Sequence, residues 1–458
     1  MNSHPELIVS VSGVRGIVGT SFHATDALHF GEAYGGNLGP GRVVLVSRDG
    51  RVSGWMLGHA VTAGLLAAGC RVIDLGVLPT PTVGVAVRTL QADGAVQITA
   101  SHNPAPWNGL KLFGPDGAVL SAEAGQAIRQ RFLHGNFHRV GWDGLSRPET
   151  ASGIADEHVR LALRLANREA VARQQWRVLL DGNGGSGGPV GTRLLEALGC
   201  TVVPWNTEAD GQFRHEAEPI PAHLGEVAAQ VRRSGVALGC VLDPDSDRLA
   251  LIDEHGECLS EEATVALAVK YRLRQQVGTV VINMSTSRMN EDLAREAGGV
   301  VVRSAVGEAN VVQTMRETGA ILGGEGSGGV IDPRVGWVRD PFVGIALILS
   351  LMAEEQRSLS ELVAKLPRYA MRKTKFPVVA AALPAAMTAL QSRWPEATVN
   401  HLDGLRLDTP DWWLHVRPSN TEPVIRIIAE GRDARAVELL CEEAGRIVRG
   451  VAEREGHE

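Results

Sequence analysis

The strongest constraint on the fold is a pattern that occurs three times along the chain, in which a short apolar run leads directly into a polar loop. The runs at 95–98, 237–242 and 320–322 have the length and apolarity of buried strands. Helical stretches alternate with the apolar runs, which is typical of βαβ units around a parallel or mixed sheet. The sequence therefore predicts three similarly built α/β units, each with a polar loop at a strand's carboxyl end.

The chain length, the three predicted α/β units and a change in pattern near the C-terminus together predict four domains. At roughly 100–200 residues per domain, 458 residues correspond to three or four of them. A turn-forming stretch at 148–153 indicates the first boundary. From about Met371 the pattern changes to two strands around a polar turn, followed by a helix, which indicates a smaller α+β domain. We predict domains that span the following ranges: 1–152, 153–254, 255–369 and 370–458.

Composition argues against several classes of protein. The net charge of −7 and the pI of about 6.1 give no reason to expect a nucleic acid as partner. The five cysteines are scattered without a Cys-x-x-Cys pair, which disfavours structural zinc and a disulfide framework. No run of about 18 apolar residues occurs, and the first residues lack the features of a signal peptide. We therefore expect a cytoplasmic protein without a membrane partner. A monomer or a homodimer is expected, and composition does not distinguish the two.

The first polar loop contains a candidate reactive serine, Ser101, directly before His102. A neighbouring histidine could activate the hydroxyl as in a hydrolase, but adjacency in sequence does not guarantee a pair in space. His102 could equally well order the loop by hydrogen bonding. Lys111 and Arg15, which has glycines close on either side, are nearby candidates for cationic roles, although surface cations are common.

Three alternating aspartates, Asp243, Asp245 and Asp247, follow the second strand directly. Three carboxylates at this spacing can converge on one point, where their repulsion would be costly without a cation. The flanking apolar strands disfavour a merely solvated acidic turn. An EF-hand loop is disfavoured as well, because Arg248 occupies the position that requires glycine, even though Glu254 falls at position 12. The pattern predicts a divalent metal site.

A polar turn near the C-terminus has the composition of a phosphate site, since it combines cations, hydroxyls and turn amides. Its candidate residues are Arg417, Ser419, Asn420, Thr421 and Arg426. The alternative is an ordinary turn whose polar side chains bond to their own backbone.

The third glycine-rich segment contains Glu325 and Ser327, which could accept from and donate to sugar hydroxyls. Glycine-rich turns are more often only turns, so this pair alone indicates little.

Taken in order, these segments resemble the α-D-phosphohexomutase family, which contains phosphoglucomutases, phosphomannomutases and phosphoglucosamine mutases. Six matching segments run from near the first residue to near the last, and such an ordered set is highly specific. They lie at 12–16, 99–104, 108–111, 243–248, 324–328 and 417–423. The resemblance implies three α/β units with mixed sheets and a smaller C-terminal α+β domain, arranged around a central cleft.

The resemblance also implies an isomerase that interconverts hexose 1- and 6-phosphates through a 1,6-bisphosphate, with such a bisphosphate as activator. It implies that Ser101 carries the phosphoryl group and completes the coordination of one Mg²⁺ with the three aspartates. Arg15 and Lys111 are implied to act in acid/base catalysis and to stabilise charge, and His102 is predicted to be a catalytic residue with a supporting role. Arg248 is implied to support the loop of the aspartates, 243–248, here named the metal loop, and to bind substrate. The resemblance implies sugar binding for Glu325 and Ser327. It implies binding of the distal phosphate for Arg417, Ser419, Asn420, Thr421 and Arg426.

Two departures from the common family patterns bear on the substrate. Gly329 stands where many members have a histidine, so the role of that histidine has no counterpart at this position. The middle residue of the phosphate loop is Asn420, as in many phosphoglucomutases and phosphomannomutases, whereas the usual bacterial phosphoglucosamine mutases have glycine. The opening segment 10–19 and Arg339-Asp340 are similar to the archaeal-type branch. Glucosamine phosphate is predicted slightly ahead of mannose or glucose phosphate.

Two other functions are compatible with parts of the pattern. A catalytically silent sugar-phosphate binding protein would keep the phosphate loop, but it would have no need of Ser101 together with the aspartates. A metal-dependent phosphatase would have no need of a second, remote phosphate site. Both are therefore disfavoured.

Overall fold

Four structural units follow one another along the chain, each with its own sheet. The computed structural model describes residues 7–10, 13–377, 382–418 and 424–455. Within these ranges the strands form one seven-stranded, two four-stranded and one five-stranded sheet, each from a continuous part of the chain. Among the described helices, none has both the length and the apolarity that crossing a membrane requires.

The first unit is built on a mixed sheet with strand order β1-β2-β6-β5-β3-β4-β7. Its strands are β1 (Ile8–Ser10), β2 (Gly13–Ile17), β3 (Val43–Arg48), β4 (Arg71–Val77), β5 (Gly94–Ile98), β6 (Trp107–Phe113) and β7 (Glu149–Thr150). Its helices are α1 (Ala24–Leu38), α2 (Ser53–Ala67), α3 (Thr80–Thr89) and α4 (Ala122–Leu133), and a 3₁₀ turn covers Trp142–Gly144. The stretch at 148–153, predicted to be a turn, instead contributes β7 to the edge of this sheet.

The second and third units each have a four-stranded sheet. The second contains β8 (Arg177–Asp181), β9 (Thr201–Trp205), β10 (Leu238–Leu242) and β11 (Leu249–Ile252), with α5 (Ile154–Leu163), α6 (Arg168–Gln174), α7 (Gly188–Ala197), α8 (Gly225–Ser234) and a 3₁₀ turn at Pro221–His223. The third contains β12 (Thr279–Asn283), β13 (Val300–Ser304), β14 (Leu322–Glu325) and β15 (Gly329–Ile331), with α9 (Glu261–Gln275), α10 (Met289–Glu296), α11 (Glu308–Thr318), α12 (Pro341–Glu355) and α13 (Leu359–Val363).

All three α/β units share one strand pattern. The strand orders β4-β3-β5-β6, β9-β8-β10-β11 and β13-β12-β14-β15 are equivalent. In each, two parallel pairs are followed by an antiparallel hairpin between the third and fourth strands. The polar loops of the sequence lie in these three hairpins, so the prediction of three similar units is confirmed.

The second and third units share a hydrophobic core. Helix α12 is buried all round from Pro341 to Ala353, and a helix that is apolar on every face needs cover on every side. It packs against α9 of its own unit and against α5 and α6 of the preceding one. One cluster of buried side chains accordingly runs through both units. The hairpin loops of these two units are therefore held on one rigid body.

In the part of the chain that the structure describes, the C-terminal unit is an antiparallel sheet with two helices on it, so the predicted α+β class is confirmed. Its elements are β16 (Ala370–Pro377), β17 (Thr398–Asn400), β18 (Leu405–Asp408), β19 (Trp412–Pro418), β20 (Val424–Gly431), α14 (Leu383–Arg393) and α15 (Ala434–Glu455). The sequence reading identified only β19, β20 and the last helix. It missed β16 because that strand is half exposed and contains Arg372, Lys373 and Lys375.

The predicted limits of the third polar loop were wrong. Gly323, Gly324 and Glu325 were expected in the loop, but they form the end of β14. A Cβ at Gly323 would lie 2.2 Å from Sδ of Met315 on α11, and one at Gly324 would lie 2.9 Å from Cγ1 of Val265 on α9. These glycines serve close packing of helices on a strand, which in sequence looks the same as a flexible turn.

Candidate active site

Ser101 lies in the β5–β6 hairpin with a positive φ of 52° and only 2% exposure. Its amide donates a hydrogen bond of 2.8 Å to Oγ1 of Thr99. The guanidinium of Arg51 donates to the carbonyls of Ser101 and Asn103, at 2.9 and 2.5 Å. These bonds fix the loop so that Oγ of Ser101 lies 3.4 Å from Oδ2 of Asp243 in the second unit.

The three aspartates form a compact buried cluster in the β10–β11 hairpin. Each is fully buried, and one oxygen from each lies within 4.8 Å of the other two. Oδ1 of Asp243 accepts the amides of residues 247 and 248. Among the described residues, Oδ1 of Asp245 and Oδ1 of Asp247 receive no hydrogen bond. Burial and the two neighbouring carboxylates raise the pKa of Asp243 well above its usual range. Buried carboxylate oxygens that accept no hydrogen bond and lie close together are suitable ligands for a hard divalent cation.

A glycine-rich loop after β8 supports the metal loop. The amide of Ser186 donates to the carbonyl of Pro244 at 2.9 Å. A Cβ at Gly185 would lie 2.4 Å from that same carbonyl oxygen, and one at Gly187 would lie 2.1 Å from Oγ of Ser246. The space beside Gly185 and Gly187 is thus filled by the metal loop, and the absence of side chains at these two positions allows the two loops to pack closely.

Lys111 projects from β6 into the aspartate cluster. Its Nζ lies 3.0 Å from Oδ2 of Asp245 and 3.0 Å from Oδ2 of Asp247. Burial by itself would lower the pKa of Lys111, but the two carboxylates outweigh it and raise the pKa. The same oxygen of Asp245 accepts the hydroxyl of Thr80 at 2.6 Å. Lys111 is therefore a permanent cation that offsets part of the cluster's negative charge.

His102 is a hydrogen-bond acceptor for Arg248. Its Nδ1 lies 2.9 Å from Nη2 of Arg248 and 3.3 Å from Oγ of Ser101. The positive charge of Arg248, followed by burial and Arg15, lowers the pKa of His102 to about 2. The neutral ring is engaged by arginine, which speaks against a hydrolase-like pair with Ser101. Arg15 lies on β2 and donates a long bond of 3.4 Å to Oδ1 of Asn103.

Glu325 is held at the end of β14 by three hydrogen bonds. Its Oε1 accepts from Nδ2 of Asn283 at 2.7 Å and from the amide of Gly307 at 3.0 Å. Its Oε2 accepts from Nη1 of Arg339 at 2.8 Å. Ser327 follows in the hairpin and is partly exposed. The carboxylate keeps a lone pair on Oε2 that can accept a further donor.

Arg417 lies on β19 and is 5% exposed. Its Nε donates to Oδ2 of Asp403 at 2.9 Å, and that oxygen also accepts the amide of Val306. Arg426 is exposed and lies directly opposite Arg417 in the antiparallel pairing of β19 with β20. The other three predicted phosphate-loop residues, Ser419, Asn420 and Thr421, lie outside the described residues.

The structure brings together the predicted residues of the first two hairpins in direct contact, and it links Glu325 to them through Arg339. Several residues that contact the predicted site residues were not predicted as site residues themselves, namely Arg51, Thr80, Asn283, Arg339 and Asp403. Two more are Glu218, which accepts from Nη1 of Arg248 at 3.4 Å, and Glu308, which accepts from the amide of Arg339. Arg339 directly precedes Asp340 and Pro341 at the start of α12. Asp340 followed by Pro341 is a typical signal for the start of a helix, but this signal does not indicate that the preceding arginine belongs to a functional site.

Four family profiles match the chain in order. They describe phosphoglucomutase/phosphomannomutase alpha/beta/alpha domain I at residues 7–139, domain II at 156–256, domain III at 260–369 and the C-terminal domain at 374–446.

Individual proteins match over nearly the whole chain. A "Probable phosphoglucosamine mutase" of Methanopyrus kandleri is 35% identical over 96% of this chain and 98% of its own length. A "Phosphoglucomutase/phosphomannomutase" of Thermococcus kodakarensis is 35% identical over 93% of this chain and 95% of its own. The crystal structure of a phosphoglucomutase/phosphomannomutase family protein from Burkholderia thailandensis superposes with a TM-score of 0.83 at 27% identity and covers 97% of both chains.

Proposed function

Because the chain belongs to the phosphoglucomutase/phosphomannomutase family of phosphohexomutase isomerases, we propose that it interconverts hexose 1- and 6-phosphates through a phosphoserine at Ser101. The preferred substrate in this proposal is glucosamine phosphate. The predicted domain limits, 1–152, 153–254, 255–369 and 370–458, are part of the proposal, with one site loop in each domain.

The observation that carries this proposal is the contact between the first two hairpins. Oγ of Ser101 lies 3.4 Å from Oδ2 of Asp243, which belongs to a cluster of three buried carboxylates. In the described part of the chain, Oδ1 of Asp245 and Oδ1 of Asp247 accept no hydrogen bond. Hard oxygen ligands of this kind suit Mg²⁺, which would be held by the three aspartates and by a phosphate oxygen on Ser101. When bound, the ion would neutralise charge on the phosphoryl group during transfer.

The side chains around Ser101 are suited to positioning and charge stabilisation, the two tasks that phosphoryl transfer asks of a protein. Ser101 gives its phosphoryl group to the sugar, the bisphosphate reorients, and the opposite phosphate returns to Ser101. Lys111 and Arg248 provide permanent positive charge beside the donor. Glu325 accepts a sugar hydroxyl on its remaining lone pair. A free hexose 1,6-bisphosphate activates the enzyme by phosphorylating Ser101.

The names of the relatives support two substrate classes. The Methanopyrus kandleri relative is named for glucosamine, whereas the Thermococcus kodakarensis relative is named for glucose and mannose. The test is a panel that compares kcat/KM for glucosamine, mannose and glucose 1-phosphates with a trace of the matching bisphosphate. We expect glucosamine 1-phosphate to give the highest value. A higher value for mannose or glucose 1-phosphate would assign the enzyme to the second class.

Replacing Arg417 by glutamine is expected to raise KM for both phosphate isomers by roughly 10- to 100-fold, because a charged hydrogen bond to the distal phosphate is lost. Arg417 is buried beside Asp403 on a strand that ends at the predicted phosphate loop. Arg435→Gln is the matched control, since Arg435 is exposed and pairs with Glu438 on α15. An increase in KM for one isomer alone would contradict a phosphate site that serves both.

The two rival functions make different predictions for the unmodified protein. A silent sugar-phosphate binding protein would bind the substrates without interconverting them. A phosphatase would release inorganic phosphate in proportion to substrate consumed. We expect interconversion with negligible phosphate release, which a coupled assay and a phosphate assay on the same sample can measure.

A further inference from the structure

Gly329, the first residue of β15, makes room for the side chain of Arg339. A Cβ at Gly329 would lie 2.3 Å from Cδ and 2.8 Å from Cγ of Arg339, and 3.1 Å from its Cβ. The clash would involve the stem of the arginine, which cannot move aside as freely as its tip. Gly329 has no left-handed φ that would require glycine. Its missing side chain is therefore explained by the space that Arg339 occupies.

The guanidinium of Arg339 bridges two hairpins, β10–β11 and β14–β15. Its Nη2 donates to Oδ2 of Asp247 in the metal loop at 2.6 Å, and its Nη1 donates to Oε2 of Glu325 at 2.8 Å. Its side chain is 12% exposed, and both carboxylates are buried. Hydrogen bonds between charged groups that are shielded from water are strong and directional. The planar guanidinium of Arg339 thus sets the distance between the metal loop and the end of β14, where Glu325 lies.

The backbone of Arg339 is anchored independently of this bridge. Its amide donates to Oε1 of Glu308 at 2.6 Å. The next residue, Asp340, caps α12 by accepting the amides of Phe342 and Val343, and its other oxygen lies 2.7 Å from Nε2 of the buried His158. Because α12 belongs to the core shared by the second and third units, the guanidinium is presented from a rigid support.

We propose that Arg339 is a positioning residue for phosphoryl transfer, which occupies the space left by Gly329 and holds Asp247 and Glu325 at a fixed separation. The proposal rests on the mutase function proposed above. Many members of the family have a histidine at the position of Gly329, and here an arginine from a different segment fills that position. Lysine could not replace it, since a single ammonium group lacks the planar fork that reaches both carboxylates.

The first test compares Arg339→Met and Arg339→Lys with the parent enzyme, using the full chain with Mg²⁺ and bisphosphate. A loosened metal loop should lower kcat, and a loosened Glu325 should raise KM for the sugar phosphate. We expect kcat/KM to fall by about 100-fold for methionine, which keeps the stem but has no charge, and lysine to recover less than tenfold of this loss. Arg357→Gln is the control, because Arg357 lies in the same unit just after α12, its side chain is 38% exposed, and its Nε makes a long contact of 3.8 Å with Oε2 of Glu355.

The outcomes separate this inference from the proposed function. If the parent does not interconvert any sugar phosphate, the proposed function fails. If the parent is active and Arg339→Met stays within threefold of its kcat/KM, the positioning role is wrong. A loss for methionine that disappears when rates are corrected for folded protein would show a merely structural role and would also overturn it.

The second test asks whether the stem of Arg339 occupies the space that a side chain at position 329 would need. Its readouts are the melting temperature without Mg²⁺ and the activity. Gly329→Ala should lower both the melting temperature and kcat/KM in the parent. In an Arg339→Ala background the same change should have little further effect on either, because the stem is gone. Effects of Gly329→Ala that are equal in the two backgrounds would overturn the shared-space inference, whatever the activity of the parent.

Discussion

Replacing Ser101 by alanine is expected to lower mutase turnover by about 10⁴-fold or more, because the group that accepts and returns the phosphoryl is removed. The backbone of the loop is held by Thr99 and Arg51 rather than by the serine hydroxyl. The fold should therefore survive the change. Intact-mass measurement of the parent after incubation with bisphosphate should show one phosphate, and the variant should show none.

Ser146→Ala is a matched control, since the hydroxyl of Ser146 bonds to a backbone carbonyl in the same unit. It should keep both the phosphate and the activity. Turnover of Ser101→Ala at the parent rate would show that the phosphoryl group is transferred without this serine, and the proposed mechanism would be wrong.

Replacing Asp243 by asparagine is expected to lower kcat/KM by about 10³-fold and to remove the stabilisation that Mg²⁺ gives the parent. The reason is that a neutral ligand weakens a site built from three carboxylates. Mg²⁺ should raise the melting temperature of the parent, as any ligand that binds only the folded state does. The variant should show little or no such shift in a thermal melt.

In the absence of metal the same variant should be at least as stable as the parent. Burial and two neighbouring carboxylates raise the pKa of Asp243, so its ionised form costs folding free energy at neutral pH. An amide of the same shape removes that cost and still accepts the amides of residues 247 and 248. Asp156→Asn, at an exposed aspartate of the same unit, should behave as the parent. If Asp243→Asn is less stable than the parent in the absence of metal, the inference that the three carboxylates repel one another is wrong.

The sequence predicted the residues of the site best where all the residues that act together lie in one loop. Asp243, Asp245 and Asp247 are two residues apart, and a hairpin of any geometry keeps them close. Ser101 was found because it follows a buried strand within a six-residue motif. The three similar units were predicted for a related reason, since an apolar run that leads directly into a polar loop occurs three times along the chain.

Sequence reasoning was wrong about Gly323 and Gly324, and it did not explain the glycines at 185 and 187. In all four places a glycine permits another part of the chain to approach within contact distance. Composition shows that a side chain is missing but not which neighbour requires its absence. The neighbours here, Met315, Val265, Pro244 and Ser246, lie 8 to 59 residues away along the chain.

By itself the sequence determined the family, the order of the units and the loops that carry Ser101 and the aspartates, because each of these is encoded in a short continuous segment. Only the tertiary structure decided how the loops act on one another. Lys111 lies between two carboxylates more than 130 residues away, and Arg339 spans from Asp247 to Glu325 through the space left by Gly329. Such contacts depend on how separate units pack rather than on any local pattern. For Asp247 and Glu325 that packing is set by the core around α12, which the second and third units share.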